Sequence, residues 1–207
     1  MQRRDCLVQL GGALAGLVSA PAALAQPAAQ GPQWNWKPPA AWPDVEVADQ
    51  SGRRLRFARD LMAGRTVAVS FVFTTCSSIC SPIAAGLSSV QSRLKSRIGR
   101  DIHLLSITID PLTDTPEVLA KYAAKFEAGP GWTFVTGSRA AVERILGTFG
   151  ISAGGDLSQH SPYLYVGNEP ARAWTRVHGL SDPGIVAATL EKAAARGPAA
   201  GARPSGS

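Results

Sequence analysis

Hydrophobic residues follow two different periods along this chain, and the two periods alternate. Val67–Phe73 is a short apolar run rich in β-branched and aromatic residues, which is typical of a buried central strand. From Cys80 to Arg100, apolar residues recur every three or four positions, which predicts a helix. Ile102–Ile109 predicts a second strand. Further strands are predicted at 132–135, 162–166 and 171–177.

Capping residues mark the remaining helices. Asp114 or Thr115 caps a helix that has a proline at its first position and runs to about residue 126. Ser138 caps the next helix, to about residue 149, and Ser181 or Asp182 opens the last, to about residue 195.

The order of these elements predicts the fold class. Val45–Phe57 is a predicted β-hairpin that turns at Asp49–Gly52, and Gly167–Pro170 turns a second hairpin near the end of the chain. Strands and helices alternate between the two hairpins, which favours an α/β domain with parallel crossovers. We therefore predict a thioredoxin-like fold over residues 44–195, with a central mixed sheet flanked by helices and an N-terminal β-hairpin.

The first 25 residues have the three-part layout of a signal peptide. Arg3 and Arg4 precede an apolar stretch, Leu7–Leu24, and Ala23–Ala25 has the small-x-small pattern of a cleavage site. The paired arginines resemble a twin-arginine signal, and an ordinary secretory signal is the alternative. We expect an exported, periplasmic protein, or a membrane-associated one if the signal is not cleaved.

Two further segments lie outside the predicted domain. Residues 26–43 are rich in Pro, Ala, Gln and Trp and are predicted to form a linker or extended arm, with Trp34, Trp36 and Trp42 packing where it meets the domain. Residues 196–207 form a Gly, Pro, Ala and Ser tail that is predicted to be disordered.

Charge argues against a nucleic-acid partner. The chain has 207 residues and a formal net charge of +6, but its basic residues are scattered. The densest run is broken by apolar residues in a strand-like alternation and is interpreted as a solvated strand face: Arg53, Arg54, Arg56 and Arg59. A basic surface suits association with an anionic membrane surface or an acidic partner.

Two cysteines carry the candidate chemistry. Cys6 lies in the predicted signal peptide, so the mature chain keeps only Cys76 and Cys80. They follow the predicted buried strand at the opening of a helix, where backbone N–H groups and the helix dipole lower a thiol's pKa. If both lie in the helix, four residues apart, they share one face. Such a pair can chelate Cu(I) or close a disulfide, and a purely structural disulfide is the remaining alternative.

Two sulfurs leave a copper ion short of ligands, and the chain offers three histidines as a third donor. His103 lies within a predicted strand and is interpreted as a surface or edge histidine. His178 follows the last predicted strand and is a minor candidate. His160 lies in a polar loop before a predicted strand, where position alone supports a ligand and a plain loop histidine equally.

Three separated motifs, in this order, resemble the Sco/SenC family. They are Phe71–Pro82, Ser106–Glu117 with Tyr122 beyond it, and His160–Val166. Proteins of that family are thioredoxin-like copper chaperones for the dinuclear copper centre of cytochrome c oxidase. The resemblance covers about residues 42–192.

The resemblance implies that copper is bound by Cys76, Cys80 and His160. It also matches Asp110 and Asp114 to acidic positions of the second motif. Asp110 ends a strand at the carboxyl edge of the sheet and is expected near the metal face, whereas Asp114 is interpreted as a helix cap.

Three hypotheses of function follow. The first is an exported copper metallochaperone that delivers copper to a respiratory oxidase or another copper-site client, or prepares the client's thiols, and receives copper from a donor protein. The alternative is a periplasmic thiol–disulfide oxidoreductase, in which Cys76 and Cys80 form a redox pair that reduces a client's cysteines. A peroxide-reducing thioredoxin-fold enzyme is a third, weaker hypothesis.

Overall fold

Seven strands form one mixed sheet in the computed structural model, which describes residues 33–151 and 161–197. The strands are β1 (Glu46–Asp49), β2 (Arg54–Arg56), β3 (Thr66–Val72), β4 (Ile102–Thr108), β5 (Trp132–Gly137), β6 (Tyr163–Asn168) and β7 (Ala173–His178). The helices are α1 (Cys80–Arg93), α2 (Pro116–Lys125), α3 (Arg139–Thr148) and α4 (Pro183–Ala194), with a π-helical turn at Phe57–Met62.

The strand order is β2-β1-β5-β4-β3-β6-β7. β3 pairs in parallel with β4, and β4 with β5, because helices carry the chain back between them. β1 with β2 and β6 with β7 are antiparallel hairpins, as predicted. Every residue of β3 is buried, which explains its continuous apolar sequence. The predicted mixed sheet with an N-terminal hairpin is confirmed.

Each face of the sheet has its own core. On one face, α1, α2 and α4 contribute buried residues such as Leu87, Leu119 and Leu190. On the other face, α3 and the π-helical turn contribute Ile145 and Met62. The carboxyl ends of the parallel strands therefore open at one edge of the sheet, between two packed layers.

Aromatic residues anchor the described part of the arm that precedes β1. Trp36 stacks on Phe149 with ring centroids 5.5 Å apart, and Trp42 is buried. Both rings also contact Trp174 of β7, and Trp34 lies beneath the guanidinium of Arg196. Each such aromatic pair contributes about 0.5–1.5 kcal/mol beyond the burial of its surface. The three tryptophans thus pack against the domain.

The predicted helix that begins at Cys80 is shorter than expected. It ends at Arg93 rather than Arg100, and the chain then turns through Gly99, whose φ of +83° no helix adopts. Leu94 and Ile98 remain buried in this turn. Their apolar spacing therefore came from packing against the core and not from helical structure.

Hydrogen bonds show which of two adjacent candidate residues caps α2 and which caps α4. Thr115 Oγ1 accepts the N–H of Val118, so Thr115 caps α2 and Asp114 does not. Asp182 accepts the N–H of Gly184 and caps α4.

Several predicted features lie outside the described residues. These are the signal peptide, the first part of the linker, His160 and most of the tail. Within the two described ranges, no helix has the length and apolar character needed to cross a membrane.

Gly167→Ala tests how tightly the last hairpin packs. A Cβ at this position of β6 would lie 2.0 Å from the ring of Trp174, which is fully buried. We expect the free energy of unfolding, measured in urea, to fall by about 1–3 kcal/mol. Gly147→Ala in α3 is the control, because its Cβ meets nothing within 4 Å and better helix propensity should add about 0.5–1 kcal/mol. Equal stability of the two variants would contradict this packing.

Candidate functional site: a thiol pair at the end of the central strand

The two cysteines occupy different structural positions. Cys80 is the first residue of α1, whereas Cys76 lies in the turn between β3 and α1. The Cys76 N–H donates to the carbonyl of Phe73 at 3.1 Å, which closes this turn. The arrangement expected if both were helical, two sulfurs four residues apart on one helix face, therefore does not occur.

Both side chains are thiols, and they lie against each other. Cys80 is fully buried, and Cys76 is partly exposed. The Cys76 sulfur also lies 3.6 Å from the hydroxyl of Ser78. The turn thus leaves the Cys76 sulfur partly exposed to solvent and the Cys80 sulfur buried.

Hydrogen bonding makes the two thiols chemically unequal. Burial raises the pKa of Cys76, but hydrogen bonds from the Cys80 thiol, the Ser78 hydroxyl and the backbone N–H groups of both residues outweigh it. The pKa of Cys76 therefore falls from 9.0 to about 7. Burial raises the pKa of Cys80 to about 12, assisted by the charges of Cys76 and Asp114. Near neutral pH, about half of the Cys76 side chains are therefore thiolate, and Cys80 is the thiol that donates to that thiolate.

The buried carboxylate of Asp114 holds the turn that carries Cys76 by hydrogen bonds. Asp114 is fully buried and accepts hydrogen bonds from the hydroxyls of Thr74 and Thr108, each at 2.5 Å. The N–H of Thr74 also lies 3.2 Å from both carboxylate oxygens. The interpretation of Asp114 as a helix cap is wrong, because its side chain points to the end of β3 instead. It ties the turn that carries Cys76 to the end of β4.

Tyr122 completes the buried surroundings of Cys80. Its hydroxyl is buried and approaches Ser81 without forming a well-aligned hydrogen bond. Burial raises the pKa of Tyr122, and the charges of Cys80 and Asp114 raise it further, so the phenol stays protonated.

Asp110 shapes the loop that follows β4. Its N–H donates to Thr108 Oγ1 at 2.9 Å, and its carbonyl accepts the N–H groups of Thr113 and Asp114. These bonds build the turn that leads to Asp114. Asp110 itself is partly exposed at the carboxyl edge of the sheet, as its position in the sequence predicted.

The two histidines in the described part of the chain lie at different positions in the sheet. His103 lies near the start of β4, at the opposite end of the sheet from the thiols, and contacts Arg65. His178 is exposed at the end of β7, where it packs edge-on against Tyr163. Among the residues that the structure describes, no three His, Cys, Asp or Glu side chains are grouped to hold a metal ion.

Sequence reasoning missed the hydrogen-bonding residues of this site. Thr74 and Thr108 bind Asp114, and Ser78 contacts Cys76. All three lie in the motifs of the sequence, but no spacing rule distinguishes a threonine that binds a distant carboxylate from one that caps a turn.

The fold and the thiol pair define a class: a thioredoxin-like domain with one accessible thiolate and one buried thiol. Residues 40–195 match the family model described as SCO1/SenC. The chain belongs to the SCO1/SenC family, which confirms the resemblance of its three motifs.

Named relatives agree with this assignment. The SCO1 protein homolog of Bacillus subtilis is 31% identical over 99 residues, which cover 47% of this chain and 50% of the relative. The chain thus spans about half the length of the curated relatives it matches.

Solved structures show the same fold. Yeast Sco1 with copper bound has a TM-score of 0.59 at 21% identity, over 74% of this chain and 92% of that one. BsSco, described as a member of the Sco family of cytochrome c oxidase assembly proteins with a disulfide switch, has a TM-score of 0.60 at 24% identity, over 77% and 97% of the two chains. The thioredoxin-like fold is thereby confirmed.

Replacing Cys80 tests the hydrogen bond between the thiols. Cys80→Ala removes a donor to the Cys76 thiolate, so the pKa of Cys76 should rise from about 7 towards 9.0. Cys80→Ser keeps a hydroxyl donor and should leave the pKa of Cys76 lower than in Cys80→Ala. The measurement is the pH dependence of iodoacetamide alkylation, followed for the Cys76 peptide by mass spectrometry. Identical profiles for the two variants would show that Cys80 does not set this pKa.

Asp114→Asn tests the influence of the buried charge on Cys80. The Asp114 carboxylate disfavours the Cys80 thiolate, so its neutralisation should lower the pKa of Cys80. Alkylation of Cys80 against pH, measured in a Cys76→Ser background, reports the change. Asp110→Asn is the matched control, because Asp110 is partly exposed and is not among the leading causes of the raised pKa of Cys80. A similar change in both variants would argue against a specific effect of Asp114.

Proposed function

We propose that this protein is a copper metallochaperone that binds copper through Cys76, Cys80 and His160. The observation that carries the proposal is the thiol pair itself: an accessible thiolate in contact with a buried thiol, on a turn at the edge of the sheet. Thiolate sulfur is a soft ligand that suits Cu(I). Copper would release the proton of Cys80 on binding, since metal ligands must be deprotonated.

The strand pairing supports a third ligand from the segment before β6. Val69 of β3 pairs with Tyr165 of antiparallel β6, so β6 begins level with the end of β3, where the thiol turn starts. His160 directly precedes Ser161 and Pro162, which lead into β6. An imidazole from this direction would complete a set of two sulfurs and one nitrogen.

Unequal exposure of the sulfurs suits transfer of the metal to a client. Cys76 is reachable from solvent, so an incoming client ligand can replace it while Cys80 still holds the ion. BsSco is described as belonging to cytochrome c oxidase assembly proteins. We propose the same class of client here, the dinuclear copper site of a respiratory oxidase.

Thiol–disulfide exchange is a second candidate, and the difference between the two pKa values favours it. Cys76, with a pKa of about 7, is an effective attacking thiolate near neutral pH. It would attack a client disulfide and expel one client thiolate. Cys80 would then lose its proton, attack the mixed disulfide and release the second client thiol. The client gains two electrons, and this protein is left with a Cys76–Cys80 disulfide.

Export through the signal peptide at residues 1–25 would place the domain in the periplasm. If the signal is cleaved, the domain is free in the periplasm; if it is not, the domain is tethered to the membrane surface. In both arrangements the domain would reach respiratory copper sites that are assembled in the periplasm.

Copper titration of the reduced protein tests the function. We expect one Cu(I) per chain in the wild type. Cys76→Ser and Cys80→Ser should weaken binding by more than the ~10–100-fold that loss of an outer-shell contact costs. His160→Ala should weaken binding or change the Cu(II) spectrum. His178→Ala is the control, because His178 is exposed and packs against Tyr163.

Two results would change the conclusion. Unchanged copper affinity and spectra in His160→Ala, together with vigorous reduction of insulin disulfides by the wild type, would favour the oxidoreductase. Copper binding that survives both cysteine replacements would place the metal elsewhere.

A further inference from the structure

The end of the sheet opposite the thiols carries a cavity that the proposed function does not use. It has a volume of about 470 Å³ and lies where β3, β4 and β5 begin. That volume falls within the ~300–1,000 Å³ of small-molecule sites. β3 separates the cavity from the thiol turn by seven residues at ~3.3 Å each, which is roughly 20 Å.

Arginines are the most numerous charged residues that line this cavity, which we call the arginine pocket. Its charged and titratable residues are Arg53, Arg59, Arg65, Asp60 and His103. The carboxylate of Asp60 is already engaged by the Arg59 side chain at 3.0 Å and by the backbone N–H of Arg56 at 2.7 Å. Arg53 is likewise paired with Asp49, at 3.0 Å. Of the three guanidiniums, only that of Arg65 therefore lacks an ion pair among the described residues.

Two of the four arginines in the basic run, which its sequence pattern predicted to be a solvated strand face, line the arginine pocket. Arg54 pairs with Glu46, and Arg56 with Asp44, on the exposed side of the hairpin. Those two fit the interpretation. Arg53 and Arg59 instead line the cavity.

Arg65 is the residue that points most directly to a ligand. It is half-buried, and its guanidinium lies 2.9 and 3.0 Å from the two ring nitrogens of His103. Burial and the nearby Arg65 charge lower the pKa of His103 to about 4, against an opposing effect of Asp101, so the ring is neutral. Within the described ranges Arg65 forms no ion pair. A partly buried cation normally has an anionic partner.

Backbone forms one wall of the arginine pocket. Gly99 and Gly131 adopt φ values of +83° and +90°. A Cβ on Gly131 would lie 2.2 Å from the nitrogen of Gly99, so only glycine permits this approach. An adjoining cavity of about 300 Å³ continues past Arg53 and Pro130. There is room for more than a single small ion.

We propose that the arginine pocket binds a phosphate group, carried by a small molecule or by a lipid headgroup, with Arg65 as the central ligand. Several guanidiniums around one cavity match the oxygens of a phosphate, each of which accepts charge-assisted hydrogen bonds. The guanidiniums of Arg53 and Arg59 keep N–H groups that do not donate to their carboxylate partners, and these groups complete the rim of the pocket. This site is independent of the copper proposal and would remain if that proposal failed.

Phosphate titration of the full chain, without added metal, tests the proposal. We expect saturable binding of one inorganic phosphate by calorimetry, and a shift of the His103 ring signals but not of the exposed His178 ring signals by NMR. Arg65→Gln should weaken binding roughly tenfold or more, since a hydrogen bond to a charged group contributes that much. Arg54→Gln, on the solvent side of the same hairpin, should change it less than twofold.

Vesicles distinguish the source of the phosphate group. Co-flotation with phosphatidylglycerol vesicles but not phosphatidylcholine vesicles, lost in Arg65→Gln, would identify a lipid headgroup. Phosphate binding without co-flotation would identify a soluble ligand. If Arg65→Gln does not fold, the exposed Arg59→Gln takes its place with an expected weakening of about threefold. The absence of both kinds of binding, or binding that Arg65→Gln and Arg59→Gln leave unchanged, would overturn the proposal.

Discussion

The buried carboxylate of Asp114 holds the reactive edge of the sheet together. It accepts hydrogen bonds from Thr74, two residues before Cys76, and from Thr108, at the end of β4. The turn after β3 and the loop before α2 are thus fixed to one another through a single side chain. A carboxylate with these partners is satisfied in the interior, and its charge adds to the burial that keeps Cys80 protonated.

Most of the fold was predictable because its strands and helices have strong, separate periodicities. The fully buried β3 and the two hairpins lie within a residue or two of their predicted positions. The end of α1 was not, because Leu94 and Ile98 continue the apolar spacing of the helix after the helix has ended. Apolar spacing records which residues face the core, and a compact turn can face the core as well as a helix does.

The sequence predicted which residues are reactive, but it did not predict which of the two sulfurs is exposed and which is buried. The position of Cys76 and Cys80 at a strand-to-helix turn follows from the sequence. Which sulfur is exposed depends on where α1 begins, because Cys80 is its first residue and Cys76 lies in the turn before it. Asp114 and Thr115 are both good capping residues, so only the approach of Thr74 across 40 positions of sequence decides which one caps and which one is buried.

The aromatic arm has a consequence for where the folded unit begins. The first strand starts at Glu46, yet Trp36 and Trp42 fill a space between Phe149 and Trp174 that no later residue occupies. A chain that began at residue 44 would lack Trp36 and Trp42. The rings of Phe149 and Trp174 would then be exposed to water, and the protein would be prone to self-association. Insertions or deletions are therefore best tolerated upstream of Trp34, since Trp34, Trp36 and Trp42 each pack against the domain.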